Sequence, residues 1–204
     1  MQLHKRDVVE AATAILDNYG LADLTMRRLA RELAITPGAL YWHFADKQHL
    51  LGAVADQVLR PACTDSGLGP ATDWRGRVRT VCVRLRDALL SHTDAAELVS
   101  ASFAAGQSRG IAQILSLLAD AATHAGLADA QSLPAARTIV YYVLGVTADE
   151  QSRLQWDAAG ASVTPPAADP SRDFAFGLRL LIDGLAVQSA PERVLGPLVA
   201  VPPA

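Results

Sequence analysis

Cysteine is scarce. Cys63 and Cys82 are the only two in 204 residues, and neither has a histidine or second cysteine at metal-ligand spacing. That excludes a disulfide framework or a zinc site and fits a reducing cytoplasm. Aromatic residues make up only 5% of the chain, well short of what a sheet-rich protein uses. No sign of charge dominates either: the net charge is −3, and residues 1–60 carry seven Lys/Arg against seven Asp/Glu. An affinity for nucleic acid would therefore have to come from where the cations sit. No uncharged run reaches the roughly twenty residues that span a bilayer, so no membrane association is expected. The opening MQLHKRDVVEAA lacks the apolar core of a signal peptide, which predicts a soluble, cytoplasmic protein. A glycine-rich phosphate loop, a metal cluster and a nucleophile–base–orienter set are all missing, so no cofactor and no enzymatic activity are expected.

What is abundant is apolar and helix-forming. Half of the residues are hydrophobic, enough to fill a sizeable core, and alanine, leucine and valine dominate. Val8, Val9, Ala12, Ile15, Leu16 and Tyr19 recur at helical spacing, and Gly20 follows in a C-cap position. Thr25 then fits an N-cap for MRRLARELA, although Arg28 stands where a capping box carries Glu or Gln. Thr36-Pro37 starts a third short helix, GALYWHF, and Asp46 caps a fourth, KQHLLGAVADQVL. After Arg60, PACTDSGLGPATD reads as a connection. Periodicity resumes over 74–92, 94–105, 109–125, 134–157 and 171–188. The segment 158–171 reads as a loop and the proline-rich 191–204 as a frayed tail.

Two short helices about three residues apart, braced by longer ones, form the layout of a helix-turn-helix. The segment LTMRRLARELAITPGALYWHFADKQHLL resembles the DNA-binding region of the tetracycline-repressor (TetR) family. The LT-x-R-x-LA-x-x-L spacing, the TPGALYWHF block and the following K-x-x-L-L agree in order. The resemblance implies an all-α protein: an N-terminal three-helix DNA-binding domain over 1–60 and a larger helical ligand-binding and dimerisation domain over 61–204. It places Arg27 at a base or phosphate, with Thr25 and Arg28 beside it on the same interface. Thr36, Pro37, Gly38 and Ala39 become the tip of the recognition helix. Tyr41, Trp42 and His43 fall against phosphates or base edges, and Lys47 on a phosphate. Proline stands at position 37 where tetracycline repressors carry glutamine, and it cannot make the bidentate contact to adenine, so a different operator is expected.

The resemblance continues more weakly through Trp74, DALLSHTDAAEL (87–98), LGVTADEQ (144–151) and FGLRLLIDGL (176–185). In tetracycline repressors the effector is a magnesium–tetracycline chelate held partly by a histidine. That histidine falls at Val99, neighbouring drug contacts near Val81 and Cys63, a second pocket histidine near Tyr141, and a metal-assisting carboxylate at Asp149. Leu85 and Phe103 complete the implied wall. Valine cannot ligate a cation and one carboxylate is a poor magnesium site, so no metal is expected. The expected effector is another small hydrophobic or polyketide-like molecule.

Ile139, Val140, Val143, Leu144 and Val146, with Phe174, Phe176, Leu178, Leu181, Ile182 and Leu185, make two helices apolar on more than one face, which predicts a homodimer. His92 and His124 read as helix-end or hinge contacts, and Arg75, Arg77, Arg79, Arg84 and Arg86 as a solvated face with ion pairs. The expected partners are thus a double-stranded DNA operator, the effector and a second copy of the chain. The competing reading, a helical interaction module without DNA binding, draws on the charge balance of residues 1–60.

Overall fold

The computed structural model describes residues 3–64, 73–160 and 169–189, and among these it contains nine helices and no strand. The first four are α1 (Lys5–Tyr19), α2 (Met26–Glu32), α3 (Pro37–Leu40) and α4 (Lys47–Leu59). They close on one another through Val8, Leu16, Leu24, Leu29, Leu40, Phe44 and Val54, all nearly inaccessible to solvent. Then follow α5 (Trp74–Leu90), α6 (Ala95–Ala104), α7 (Arg109–Ala125), α8 (Asp129–Ala158) and α9 (Pro170–Gln188). The antiparallel pair α7 and α8 makes the most extensive helix contact, and α5 packs across both. Among the described residues, no helix is long and apolar enough to cross a membrane.

Caps account for most of the boundaries. The side chains of Thr25, Asp46, Asp73 and Ser108 accept from Arg28 N, His49 N, Gly76 N and Ile111 N at the starts of α2, α4, α5 and α7. The Asp46 carboxyl lies below the usual carboxylate range because it accepts the His49 amide, with the His49 ring 2.8 Å away. Gly20 ends α1 at φ 81, and a Cβ there would also press on the Asp94 carboxylate.

Three boundaries differ from the pattern in the sequence. The helix expected over 26–34 stops at Glu32 because Ala34 turns left-handed (φ 53), which aims the chain into α3. The helix expected over 38–44 is α3 followed by a tight turn, where Trp42 N and His43 N donate back to Ala39 O and Leu40 O. The helix expected from residue 134 begins five residues earlier. Pro134 lies inside it, leaving the carbonyl of exposed Ala130 without its helical donor. Most of the 158–171 loop, the middle of the 61–73 connection and the 191–204 tail lie outside the described residues.

Ile139, Val140, Val143 and Leu144, expected to meet a second chain, are buried within this one. The apolar side chains left on the surface of α8 and α9 include Leu133, Tyr141, Leu154, Trp156, Phe176, Leu180 and Val187.

The two thiols are guarded differently. Burial pushes the Cys82 thiol far up, and partial burial, helped by Asp56, raises that of Cys63. At neutral pH a chromogenic disulfide reagent should therefore label Cys63 slowly and Cys82 only in denaturant, because the thiolate is the nucleophile. Two fast-reacting equivalents in the native protein would refute this.

Candidate nucleic-acid interface and effector domain

Leu40 and Phe44 hold the recognition segment down, both buried to within 2% of full burial, while the residues between and before them face outward. Trp42 is 90% exposed and Tyr41 is 54% exposed, while His43 is half-buried. Thr36, Pro37 and Gly38 are exposed, Ala39 is half-buried, and a Cβ on Gly38 would meet only Thr36 Oγ1, at 4.0 Å. The Thr36 hydroxyl makes no cap bond, so it is available as a donor at the tip. Arg27 and Lys47 are exposed, and neither forms an ion pair among the described residues. Arg28 is engaged inside the domain: it pairs with Asp23 and stacks on the Tyr19 ring at 3.7 Å. Thr25 is occupied in capping. Of the eleven predicted DNA residues, seven lie in or beside α3, Arg27 and Lys47 stand exposed on α2 and α4, and Thr25 and Arg28 mainly brace α2.

Among the described residues, the seven predicted effector residues occupy different surroundings. Val81, Leu85 and Val99 are sealed in the core at 1% exposure or less. The Cys63 thiol lies 3.5 Å from the Gly110 carbonyl. Phe103 and Tyr141 pack ring to ring at 5.4 Å, with Tyr141 60% exposed. Asp149 is exposed, pairs with Arg153 at 2.8 Å, and lines a separate cleft between α8 and α9.

Two polar joints that sequence reasoning missed tie the helices around the recognition segment to the rest. At the first, Asp17 on α1 sits 2.9 Å from His92 Nδ1, and its carbonyl accepts from Thr93 Oγ1. Asp94 accepts the Leu21 amide at 2.8 Å there. Gln151 of α8 fastens the same turn: its Nε2 donates to the carbonyls of Leu89 and His92, and its Oε1 accepts Ala96 N. At the second joint, Asp56 on α4 accepts Ser108 Oγ at 2.7 Å and Gly110 N at 2.8 Å. Gly52 lies flat against the Gln107 carbonyl. Of these groups only His92 carried a signal, as a hinge contact. Partners fifty or more residues apart leave no periodic trace.

Residues 8–54 match the model of the TetR-family bacterial regulatory proteins, and residues 67–170 match the tetracyclin repressor-like C-terminal domain. The chain belongs to the TetR family. Tetracycline repressor protein class C of Escherichia coli is 31% identical over 203 residues, covering 90% of this chain and 91% of that one. The crystal structure of BioQ from Mycobacterium smegmatis shares 63% identity and superposes with a TM-score of 0.85, over 92% of this chain and 99% of that chain. BioQ with its natural double-stranded DNA operator is similar at 61% identity and a TM-score of 0.80, covering 91% and 99%. This TetR protein therefore carries its family's helix-turn-helix at the N-terminus and its all-α C-terminal domain.

Proposed function

We propose that the protein is a cytoplasmic, homodimeric repressor that holds a double-stranded DNA operator and is released by a small hydrophobic or polyketide-like effector. The DNA-binding part is residues 1–60 and the effector and dimerisation part residues 61–204. The observation that carries the reading is the recognition segment: two buried anchors, Leu40 and Phe44, beneath an exposed Trp42, Tyr41 and open glycine tip, flanked by Arg27 and Lys47. A rigid helix with free polar tips and nearby cations suits a major groove and its phosphates. The operator complex formed by BioQ supports the same role.

Dimerisation is supported by the α8–α9 groove of about 340 Å³ lined by Ala135, Thr138, Leu180 and Gly184, beside exposed Leu133 and Val187. A second copy would cover this apolar surface and place two recognition helices on two half-sites. The magnesium–tetracycline chelate of the family's best-known members fits poorly. Val99 stands in place of the ligating histidine and is wholly buried, and Asp149 is paired with Arg153. Of the other effector candidates, Cys63, Phe103 and Tyr141 are partly or fully accessible, whereas Val81 and Leu85 become effector contacts only if the core around them opens.

Fluorescence anisotropy with DNA flanking the gene tests the reading. Wild type should bind with a steep salt dependence. Arg27→Ala with Lys47→Ala should flatten the log–log salt slope by about one for each phosphate no longer neutralised, up to about four per dimer. Equally weak binding by wild type and double variant at physiological salt would instead favour the interaction module.

A further inference from the structure

We propose that the cleft between α5 and α9 is a binding site for an amphipathic anion, a carboxylate on an apolar body. The cleft measures about 300 Å³ and its walls are Val83, Phe174, Ala175, Leu178 and Ile182. Three guanidinium groups, Arg79, Arg86 and Arg179, line it, and no carboxylate does. An apolar hollow of that size with a few convergent charges is what a small-molecule site requires, with room for a ligand of about a dozen non-hydrogen atoms.

The three cations are not equally committed. Arg86 is held from behind by Glu150, with Nε at 3.1 Å from Oε2 and Nη2 at 2.9 and 2.8 Å from the two oxygens. It also lies 5.1 Å from the Phe174 ring centre and donates to Ser171 Oγ at 3.3 Å. Arg79 forms no ion pair among the described residues, and Arg179 makes only a distant contact with the Phe176 ring at 5.9 Å. Two unneutralised guanidiniums on an apolar floor favour one anionic head, because the planar fork matches a carboxylate bidentately. The acidic groups nearby, Asp149, Glu150 and Asp173, face the neighbouring cleft on the other side of Phe174. Of the three, only Glu150 neutralises a cation of this cleft, Arg86, and Arg79 and Arg179 form no ion pair among the described residues.

The position also suggests what occupancy would do, and this part rests on the ligand-responsive repressor reading. Glu150 is adjacent in sequence to Gln151, which bolts the α5–α6 turn and, through it, α1. An anion that competes with Glu150 for Arg86 loosens α8 beside that bolt.

Calorimetric titration of the full chain without DNA tests the site, with decanoate as the probe and decanol as its neutral counterpart. Wild type should bind decanoate at least tenfold more tightly than decanol. Arg79→Ala with Arg179→Ala, both on the surface and so compatible with folding, should lose at least tenfold in decanoate affinity. Equal binding of the alcohol, an unimpaired double variant, or no binding of decanoate by wild type would each overturn the proposal. Operator binding without decanoate is measured separately, so failure of the repressor reading leaves a distinct signature.

Discussion

Glu150→Ala should destabilise the protein by about 3–5 kcal/mol, because it strands a buried guanidinium. The Arg86 and Glu150 side chains are only 11% and 18% exposed, and they are joined by two-pronged hydrogen bonding. Removing one partner leaves the other charged, desolvated and boxed in by Phe174. At 2–4 °C per kcal/mol for a chain of this size, the melting temperature should fall by roughly 6–20 °C at fixed protein concentration. Replacing both partners together, Arg86→Met with Glu150→Leu, should recover most of the loss, since a packed apolar pair serves about as well as a buried ion pair. A loss below about 1 kcal/mol for Glu150→Ala would mean that water reaches the pair as freely as it does on an open surface.

Gly52→Ala should cost about 1–3 kcal/mol even though alanine is the better helix former by about 1 kcal/mol. The added methyl would sit 2.9 Å from the Gln107 carbonyl carbon and closer still to its oxygen. That obstacle is backbone, held in place because Gln107 N donates to Ser102 O. Relief requires α4 to pull away from the α6–α7 turn, which also strains the Asp56 bonds to Ser108 and Gly110. Operator affinity should drop along with stability, and urea unfolding beside anisotropy measures the two. Gly52→Ala with wild-type stability and affinity would show that this joint has slack.

The features legible in the sequence were local ones. Thr25 and Asp46 announce their helices because a short polar side chain before an apolar period can serve an orphan amide. The tip of α3 was readable from Thr36-Pro37 for a similar reason. What escaped depends on partners remote in the chain. The pattern reads Arg86, with four other arginines, as part of a solvated face with ion pairs; the ion pair is present but buried, because nothing local distinguishes Arg86 from Arg84 and only the fold brings Glu150, 64 residues away, against it. Burial misled in the opposite direction on α8. Val140 and Val143 suit a subunit interface or an internal core equally well by composition, and here they are buried within the chain, where α5, α6 and α7 all pack on α8. Val81, Leu85 and Val99 came from family correspondence, which fixes a position along the chain and does not fix whether the space around it stays hollow.

The helix α6 has only ten residues, about 15 Å of rigid rod, and each of its ends abuts one of the two polar joints. A rod gripped at both ends cannot tilt without swinging the two grips in opposite directions. Tilt of α6 therefore acts on α1 and α4 as a couple, turning the N-terminal helices as one piece without pulling them apart. The exposed Trp42 belongs to the same four-helix unit, so a rotation at the seam carries it along where the chain would meet a groove.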